Sequence, residues 1–325
     1  MTPLRASIVI RTFNEARHLP ALLAAIAAQG VAELDRETIL VDSGSMDATV
    51  RLARDHGCRI LHIAREEFSF GRSLNIGCAA ATGRALVFVS GHCIPTGPRW
   101  LEDLIGPIER GEAALTYGRQ LGGERTRFSE HQIFRKYFPS KEGRQPNGFF
   151  CNNANAALAR QAWESLRFDE TLTGLEDLHL GKRLVAAGGR IAYVPSAAVL
   201  HHHDETWPQV TRRFEREALA LQTIMPEIHI GTVTALRYFA AATVGDWRRA
   251  TSRGVLLEHA WPIVAYRFCQ YYGSWKGNHS HRRMSRDSRE RYFYPHDAHA
   301  PADRAAAAEG AQRPGSREEF QELRG

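Results

Sequence analysis

Four clusters of residues in this chain are of the types that do chemistry. Thr12, Asn14 and Glu15 come straight after Ser-Ile-Val-Ile-Arg at 7–11, and Asp42, Ser43, Gly44, Ser45 and Asp47 come straight after Thr-Ile-Leu-Val at 38–41. A carboxylate at the end of a strand can accept hydrogen bonds from ribose hydroxyls or a base N–H, and small neighbours let a ligand approach the backbone. Open α/β sheets bind ligands at the carboxyl ends of their strands. Helix capping would account for Asn14 and Asp47 taken singly; two such clusters at two strand ends point instead to a nucleotide-type ligand. The third cluster is Glu176 and Asp177, which open an amphipathic run after Gly174-Leu175. Carboxylates suit the first turn of a helix because of its dipole, and the same field keeps a carboxylate ionised, as a general base must be. The fourth is imidazole: His92 in Ser90-Gly91-His92, and the triple His201-His202-His203 that closes Tyr-Val-Pro-Ser-Ala-Ala-Val-Leu. Alternation along a strand puts His201 and His203 on one face and His202 on the other. Three histidines in a row are hard to explain by packing.

The elements that must position these clusters alternate. Strands are expected at 7–12, 38–42, 58–63, 85–89, 113–118 and 152–159, with a strand pair at 190–201. Helices are expected at 17–28, 47–56, 71–82, 98–110, 176–187, 207–224 and 232–275. Leu19, Leu22, Leu23 and Ile26 share one face of the first helix, and Pro20 sits in its first turn, where proline is tolerated. The stretch 119–150 reads as a long functional loop with one short helix near 129–137. This alternation predicts an α/β fold with a mostly parallel central sheet and helices on both faces. The polar, Arg- and Ala-rich segment 286–325 reads as a disordered tail.

Composition removes several classes of function. The net charge of +6 on 325 residues suits phosphate-bearing ligands or an anionic surface. No Arg/Lys run is interleaved with aromatics, which argues against nucleic acid. The first strand is followed by neither Gly-x-Gly-x-x-Gly nor a phosphate-binding P-loop, so dinucleotide enzymes and P-loop NTPases lose support. The five cysteines are odd in number and widely spaced, which points to reduced thiols and a cytoplasmic setting. No secretion leader and no apolar run near ~20 residues is seen. The segment 206–285 carries Trp247, Trp261, Tyr266, Phe268, Tyr271, Tyr272 and Trp275 among Arg248, Arg249, Arg253 and Arg267. Such a stripe can seat a helix at the inner face of a membrane, pack on the domain, or form a dimer contact.

Thr-Phe-Asn-Glu at 12–15, Val-Asp-Ser-Gly-Ser-x-Asp-x-Thr at 41–49, Arg72-x-x-Asn75-x-Gly77 and Ala81-x-Gly83 together resemble the inverting family 2 glycosyltransferases of the GT-A fold, rhamnosyltransferase-like members above all. The resemblance covers about residues 5–220 and implies a GT-A domain at 1–205 with a C-terminal helical region at 206–285. It implies that Glu15 and Asp42, with Thr12, Asn14, Ser43 and Gly44, hold the nucleoside of a nucleotide-sugar donor. Arg72 and Asn75 would line the donor pocket. Ser90-Gly91-His92 stands where the family usually has Asp-x-Asp, so His92, with His201 and next His203, is expected to hold a divalent cation on the donor diphosphate. Imidazole favours Mn²⁺ over Mg²⁺. A strand-end histidine bonding the donor without metal is the other reading. The resemblance implies that Asp177 takes the proton from the acceptor hydroxyl, with Glu176 orienting acceptor or loop. The acceptor would be a bacterial glycan or a lipid-linked saccharide. The alternative is a sugar-nucleotide-binding protein of the same fold without transfer activity, since Ser90 replaces the family's first Asp.

Overall fold

Runs of β-branched and aliphatic residues flanked by amphipathic segments give the first half of the chain a strand–helix rhythm. Its strands are β1 (Ala6–Thr12), β2 (Arg36–Asp42), β3 (Arg59–His62) and β4 (Ala85–Ser90). The helices between them are α1 (Leu19–Ala27), α2 (Thr49–Asp55) and α3 (Phe70–Ala80). The computed structural model describes residues 5–30, 36–141 and 148–279, all within one compact unit that runs to Arg283. The four strands are parallel neighbours in the order β3-β2-β1-β4, and β1 is in register with β2 so that Thr12 lies opposite Asp42. Side chains alternate between faces. Ile8, Ile10, Val87 and Val89 therefore join Leu19, Leu22, Leu23 and Ile26 of α1, and Trp100, Leu101 and Leu104 of the later helix at 100–109, in one core. On the opposite face α3 packs on β1 and β2.

The second half continues with β5 (Cys93–Pro95), α4 (Trp100–Glu109), β6 (Leu115–Gly122), α5 (Phe128–Tyr137), β7 (Asn155–Ala159), α6 (Arg160–Leu166), α7 (Glu176–Ala186) and β8 (Ile191–His201). The whole sheet is ordered β3-β2-β1-β4-β7-β6-β8-β5, with β7 and β5 antiparallel to their neighbours. This order forces a bend. β5 begins three residues after β4 ends, a reach of at most about 10 Å, yet it lies four places away in the sheet, roughly 19 Å if the sheet were flat. The sheet must curl until the far edge returns to the end of β4. His92 sits in that short link and is thereby delivered to the end of β8: Cys93 pairs with His201, and the His202 N–H donates to the His92 carbonyl at 3.1 Å.

The α/β class, the mostly parallel sheet, the helices on both faces and the C-terminal helices agree with the sequence reading. Several local expectations are corrected. The segment 190–201 is one strand rather than a pair; its ladder with β6 slips between Gly118 and Gln120, where Val194 and Val199 are the successive partners. Pro195, which has no N–H to offer a ladder, lies in that slip. The expected helix 232–275 is two helices, α9 (Thr232–Ser252) and α10 (Leu256–Asn278), which follow α8 (Trp207–Ile224). The break falls at Gly254, whose φ of +70° other residues resist. The expected helix 47–56 starts later, at Thr49, because the Asp47 carboxylate accepts the Thr49 N–H at 2.9 Å from outside the first turn. β5 and α6 were not expected at all. The expected tail 286–325 lies outside the described residues. Among the described residues no helix is long and apolar enough to cross a membrane.

Candidate active site

The loops after β1 and β2 hold each other. Asp42 Oδ2 accepts the N–H groups of Gly44 and Ser45, each at 3.0 Å, and Thr12 Oγ1 donates to Asp42 Oδ1 at 3.4 Å. Ser43 donates both its N–H and its hydroxyl to the Thr12 carbonyl at 3.1 Å. Asn14 has a φ of +56°; its N–H donates to Ser45 Oγ and its Oδ1 accepts from Met46 N, both at 2.9 Å. Asp47 ties back to Ala16 N at 3.0 Å. The sequence-predicted cluster is therefore one laced surface at the ends of β1 and β2. Most of its side-chain hydrogen-bonding capacity is spent on its own loops.

Glu15 turns the other way. Its carboxylate meets His92 Nδ1 at 2.7 Å, not the Asp42 cluster with which it was expected. Gly91 makes this possible, since a Cβ there would sit 2.8 Å from Glu15 Cγ. Ser90, last residue of β4, takes the Ala154 carbonyl on its N–H at 3.3 Å. His92, His201 and His203 then form a nest. One ring nitrogen of each lies within 4.8 Å of one from each of the others. The ring centroids of His201 and His203 are 4.0 Å apart, and those of His92 and His201 are 5.1 Å apart. In all three rings Nδ1 is engaged by an oxygen: Glu15 Oε1 on His92, Gln120 Oε1 on His201 and Glu130 Oε1 on His203, each at 2.7 Å. His202 points to the other face and stacks on His18 at 4.8 Å, as alternation requires.

The electrostatics of the nest differ from ring to ring. Burial works against a charge on His92, but the Glu15 carboxylate outweighs it and raises the imidazole above its usual range. Burial, followed by the neighbouring His203 and His92, pushes His201 far down, so that ring is neutral. Burial also opposes the charge on Glu130. His203 and Arg213 overcome that opposition and hold the carboxyl well below the usual range. Residues present here fit a divalent cation: three imidazoles whose Nδ1 atoms are occupied by oxygens leave the other nitrogen of each ring for a metal.

The carboxylate pair opens α7. Leu175, in the left-handed region at φ +56°, turns the chain into the helix. Glu176 and Asp177 are both buried. Arg11 Nη1, from the end of β1, donates to Glu176 Oε1 at 3.1 Å. Asp177 Oδ2 accepts the Asn153 N–H at 2.9 Å and Oδ1 accepts its neighbour Leu178 N–H at 2.7 Å. Burial and the adjacent Glu176 charge push the Asp177 carboxyl up to about 7, against the pull of those N–H groups and of Arg11. Each oxygen keeps a lone pair beyond these bonds. A carboxyl so tuned is suited to exchanging a proton near neutrality.

Residues 7–167 match the profile of Glycosyl transferase family 2. The chain belongs to that family. It is 26% identical over 227 residues to the O-antigen chain rhamnosyltransferase RfbN of Salmonella typhimurium, covering 65% of this chain and 70% of the relative. It is 29% identical over 189 residues to the O-antigen chain rhamnosyltransferase WbaN of Salmonella anatum, covering 55% and 60%. Glucosyl-3-phosphoglycerate synthase from Mycobacterium tuberculosis, solved with Mn²⁺, UDP-glucose and phosphoglyceric acid, has a similar fold with a TM-score of 0.51, 20% identity, and coverage of 67% of this chain and 79% of that one. The mannosyltransferase PcManGT from Pyrobaculum calidifontis, solved with GDP-Man and Mn²⁺, superposes with a TM-score of 0.53 at 17% identity over 96% and 80%.

One donor-pocket expectation changes once this glycosyltransferase is seen in three dimensions. Asn75 is buried and its amide is fully used: Nδ2 donates to the Phe168 carbonyl and to Glu170 Oε1, while Oδ1 accepts from Trp163 Nε1 and Phe168 N. It has no capacity left for a ligand and instead brackets α3 to the 163–170 segment. Arg72 is more open, with Glu67 and Glu170 oxygens at 3.5 Å. Sequence reading missed Gln120, Glu130, Arg11 and Arg213. The available signals were polar residues on faces that should be apolar: Gln120 and Glu130 are almost fully buried, on a strand and on a helix.

Proposed function

We propose that this glycosyltransferase moves a sugar from a nucleotide-diphosphate donor to a hydroxyl of a bacterial glycan or lipid-linked saccharide, with inversion at the anomeric carbon. Rhamnose is the first candidate sugar, supported by the two rhamnosyltransferase relatives. The observation that carries the reading is the buried Asp177 carboxyl, with its pKa near neutrality, at the same sheet edge as the laced loops and the histidine nest. Asp177 takes the acceptor proton as the hydroxyl oxygen bonds to the anomeric carbon. The bond from that carbon to the diphosphate oxygen breaks, and its electron pair leaves with the diphosphate. Glu176, held by Arg11, orients the first turn of α7, which carries the base. Thr12, Asn14, Asp42, Ser43 and Gly44 form the nucleoside wall, with Arg72 beside it.

His92, His201 and His203 are the residues that would hold a divalent cation, Mn²⁺ before Mg²⁺. When bound, such a cation supplies positive charge to the leaving diphosphate. Both same-fold enzymes named above were solved with Mn²⁺ and a sugar nucleotide. A lipid-linked acceptor would place the α9–α10 hairpin at a cytoplasmic membrane face. Leu257, Trp261, Phe268 and Tyr272 are 99%, 74%, 56% and 43% exposed there, near the exposed Arg248, Arg249 and Arg253.

Nucleoside diphosphate release tests the reading, with dTDP-rhamnose, UDP-glucose and GDP-mannose offered with Mn²⁺ or Mg²⁺ and saccharide acceptors. Release from one donor, abolished by Asp177→Asn while donor binding persists, is the expected result. Donor binding with no release from any pair would leave the transfer-free alternative.

A further inference from the structure

The nest has a collar, and the collar decides what the three imidazoles offer. The decisive chain starts at a backbone group whose role is fixed. The Ala154 N–H can only donate, and it donates to Asn152 at 3.0 Å, which identifies the contacted atom as Oδ1. That same oxygen is 2.9 Å from the Gln120 amide, so the Gln120 atom facing it is the nitrogen. The Gln120 oxygen must then face His201, at 2.7 Å, and His201 Nδ1 must carry the proton. Amide and tautomer states are thus set by the bonding network rather than chosen freely. A neutral ring protonated on Nδ1 presents a bare lone pair on Nε2.

The Nδ1 of His203 is committed to an oxygen by another route. Its Nδ1 faces Glu130 Oε1, an oxygen that also accepts from Arg213 Nη2 at 2.8 Å and from the Tyr266 hydroxyl at 3.2 Å. An oxygen with those donors is an acceptor toward His203. Glu15 does the same for His92. The collar comes from four places far apart in sequence: the loop after β1, β6, α5 and the entry to β7. Its Glu130 corner is braced by α8 and α10.

A second grouping, Glu130, His203 and Glu205, also brings three ligand atoms within 4.8 Å of one another. The Arg213 guanidinium lies 2.8 Å from both of its carboxylates and already supplies their positive charge. That leaves the all-imidazole grouping as the site for a metal.

We propose that Gln120 and Glu130 are positioning residues that fix the three imidazoles as a complete transition-metal site, so that the protein takes a Zn²⁺-, Co²⁺- or Mn²⁺-type ion before any sugar nucleotide arrives and discriminates against Mg²⁺. The inference rests on the histidine assignment made above and extends it to residues outside the ligand set. Imidazole nitrogen suits such ions, whereas Mg²⁺ demands oxygen and keeps its water. Loss of an outer partner of a ligating histidine weakens metal binding by about 10–100-fold.

The test is a Co²⁺ titration of the full-length chain, stripped of metal and free of nucleotide, followed by visible absorption. One Co²⁺ per chain, with a visible spectrum lost in His201→Ala and a hundredfold excess of Mg²⁺ unable to displace it, is the expected outcome. Gln120→Ala and Glu130→Ala should each lower Co²⁺ affinity by about 10–100-fold. Glu130→Gln, which keeps an acceptor oxygen, should recover most of the loss. A residue that only supports the fold would lower the melting temperature and leave the affinity of the folded protein unchanged, and that result in Gln120→Ala overturns the proposal whether or not the Glu130 variants fold. No Co²⁺ binding without nucleotide, or displacement by equimolar Mg²⁺, overturns it as well. Nucleoside diphosphate release measured on the same preparation separates the two readings: release without nucleotide-free metal binding refutes only this inference, and metal binding without release refutes only the transfer reaction.

Discussion

The two ends of the candidate site use polar residues in opposite ways. At the ends of β1 and β2, Asp42, Asn14, Ser43 and Asp47 turn their side chains on neighbouring loops. At the ends of β4 and β8, His92, His201 and His203 each commit one nitrogen to an oxygen, and no hydrogen bond to the other nitrogen occurs among the described residues. Both ends lie at the carboxyl edge of one sheet. The difference shows that the number of polar residues at a strand end does not measure reactivity; the count of atoms left unspent does. By that count the loop end is spent on shape, and the histidine end keeps ring nitrogens for the proposed chemistry.

Substitutions can break this contrast, and the largest effect should come from Asp177→Asn. It should lower transfer by about 10²–10⁴-fold, the usual contribution of a positioned base, with donor binding intact by thermal shift. His92→Ala should cost about a hundredfold or more in turnover at fixed Mn²⁺, reflecting the several kcal/mol a cation gives a leaving oxyanion. Its melting temperature should stay near that of the parent, and a collapse in stability there would end the contrast. Asn75→Ala should do the reverse. It strips partners from the Trp163 Nε1–H, Phe168 N–H and Phe168 carbonyl, a loss of about 2–3 kcal/mol in denaturant unfolding, with kcat retained in the folded fraction.

The pH profile sharpens the contrast at Asp177. Burial and Glu176 raise its pKa to about 7, and a base works only when deprotonated. Transfer should therefore rise tenfold per pH unit below about 7 and level off above it; a rate flat from pH 5 to 8 would remove Asp177 from that role. The smallest effect belongs to Asp47→Ala, about 1 kcal/mol of stability from a lost capping contact with little change in donor KM.

Much of this was legible in the sequence because it is local. Apolar runs marked β1, β2 and β4, and the period of two placed His201 with His203 and apart from His202. The remainder is long-range. His92 meets His201 only because β5, three residues long and too short to show a period, pairs with the end of β8. Asn75 looks like a ligand residue until the segment that consumes its amide, 88 to 95 positions onward, is folded against it. Gln120 and Glu130 fall in or beside a stretch whose loose composition reads as loop, and their partners lie elsewhere in the chain.

The antiparallel course of β7 has a consequence for descent. The chain leaves β6 at Gly122, paired with His201, and re-enters the sheet past Asn153, whose N–H holds Asp177. The connection from 123 to 154 thus starts and finishes at the edge that carries the candidate site. Doubling a loop costs only about 0.6 kcal/mol in closure entropy. A lineage built on this topology can lengthen or trim the passage between Tyr137 and Cys151, keep Glu130, Asn152 and Asn153 in place, and inherit the sheet, Asp177 and the histidines unaltered.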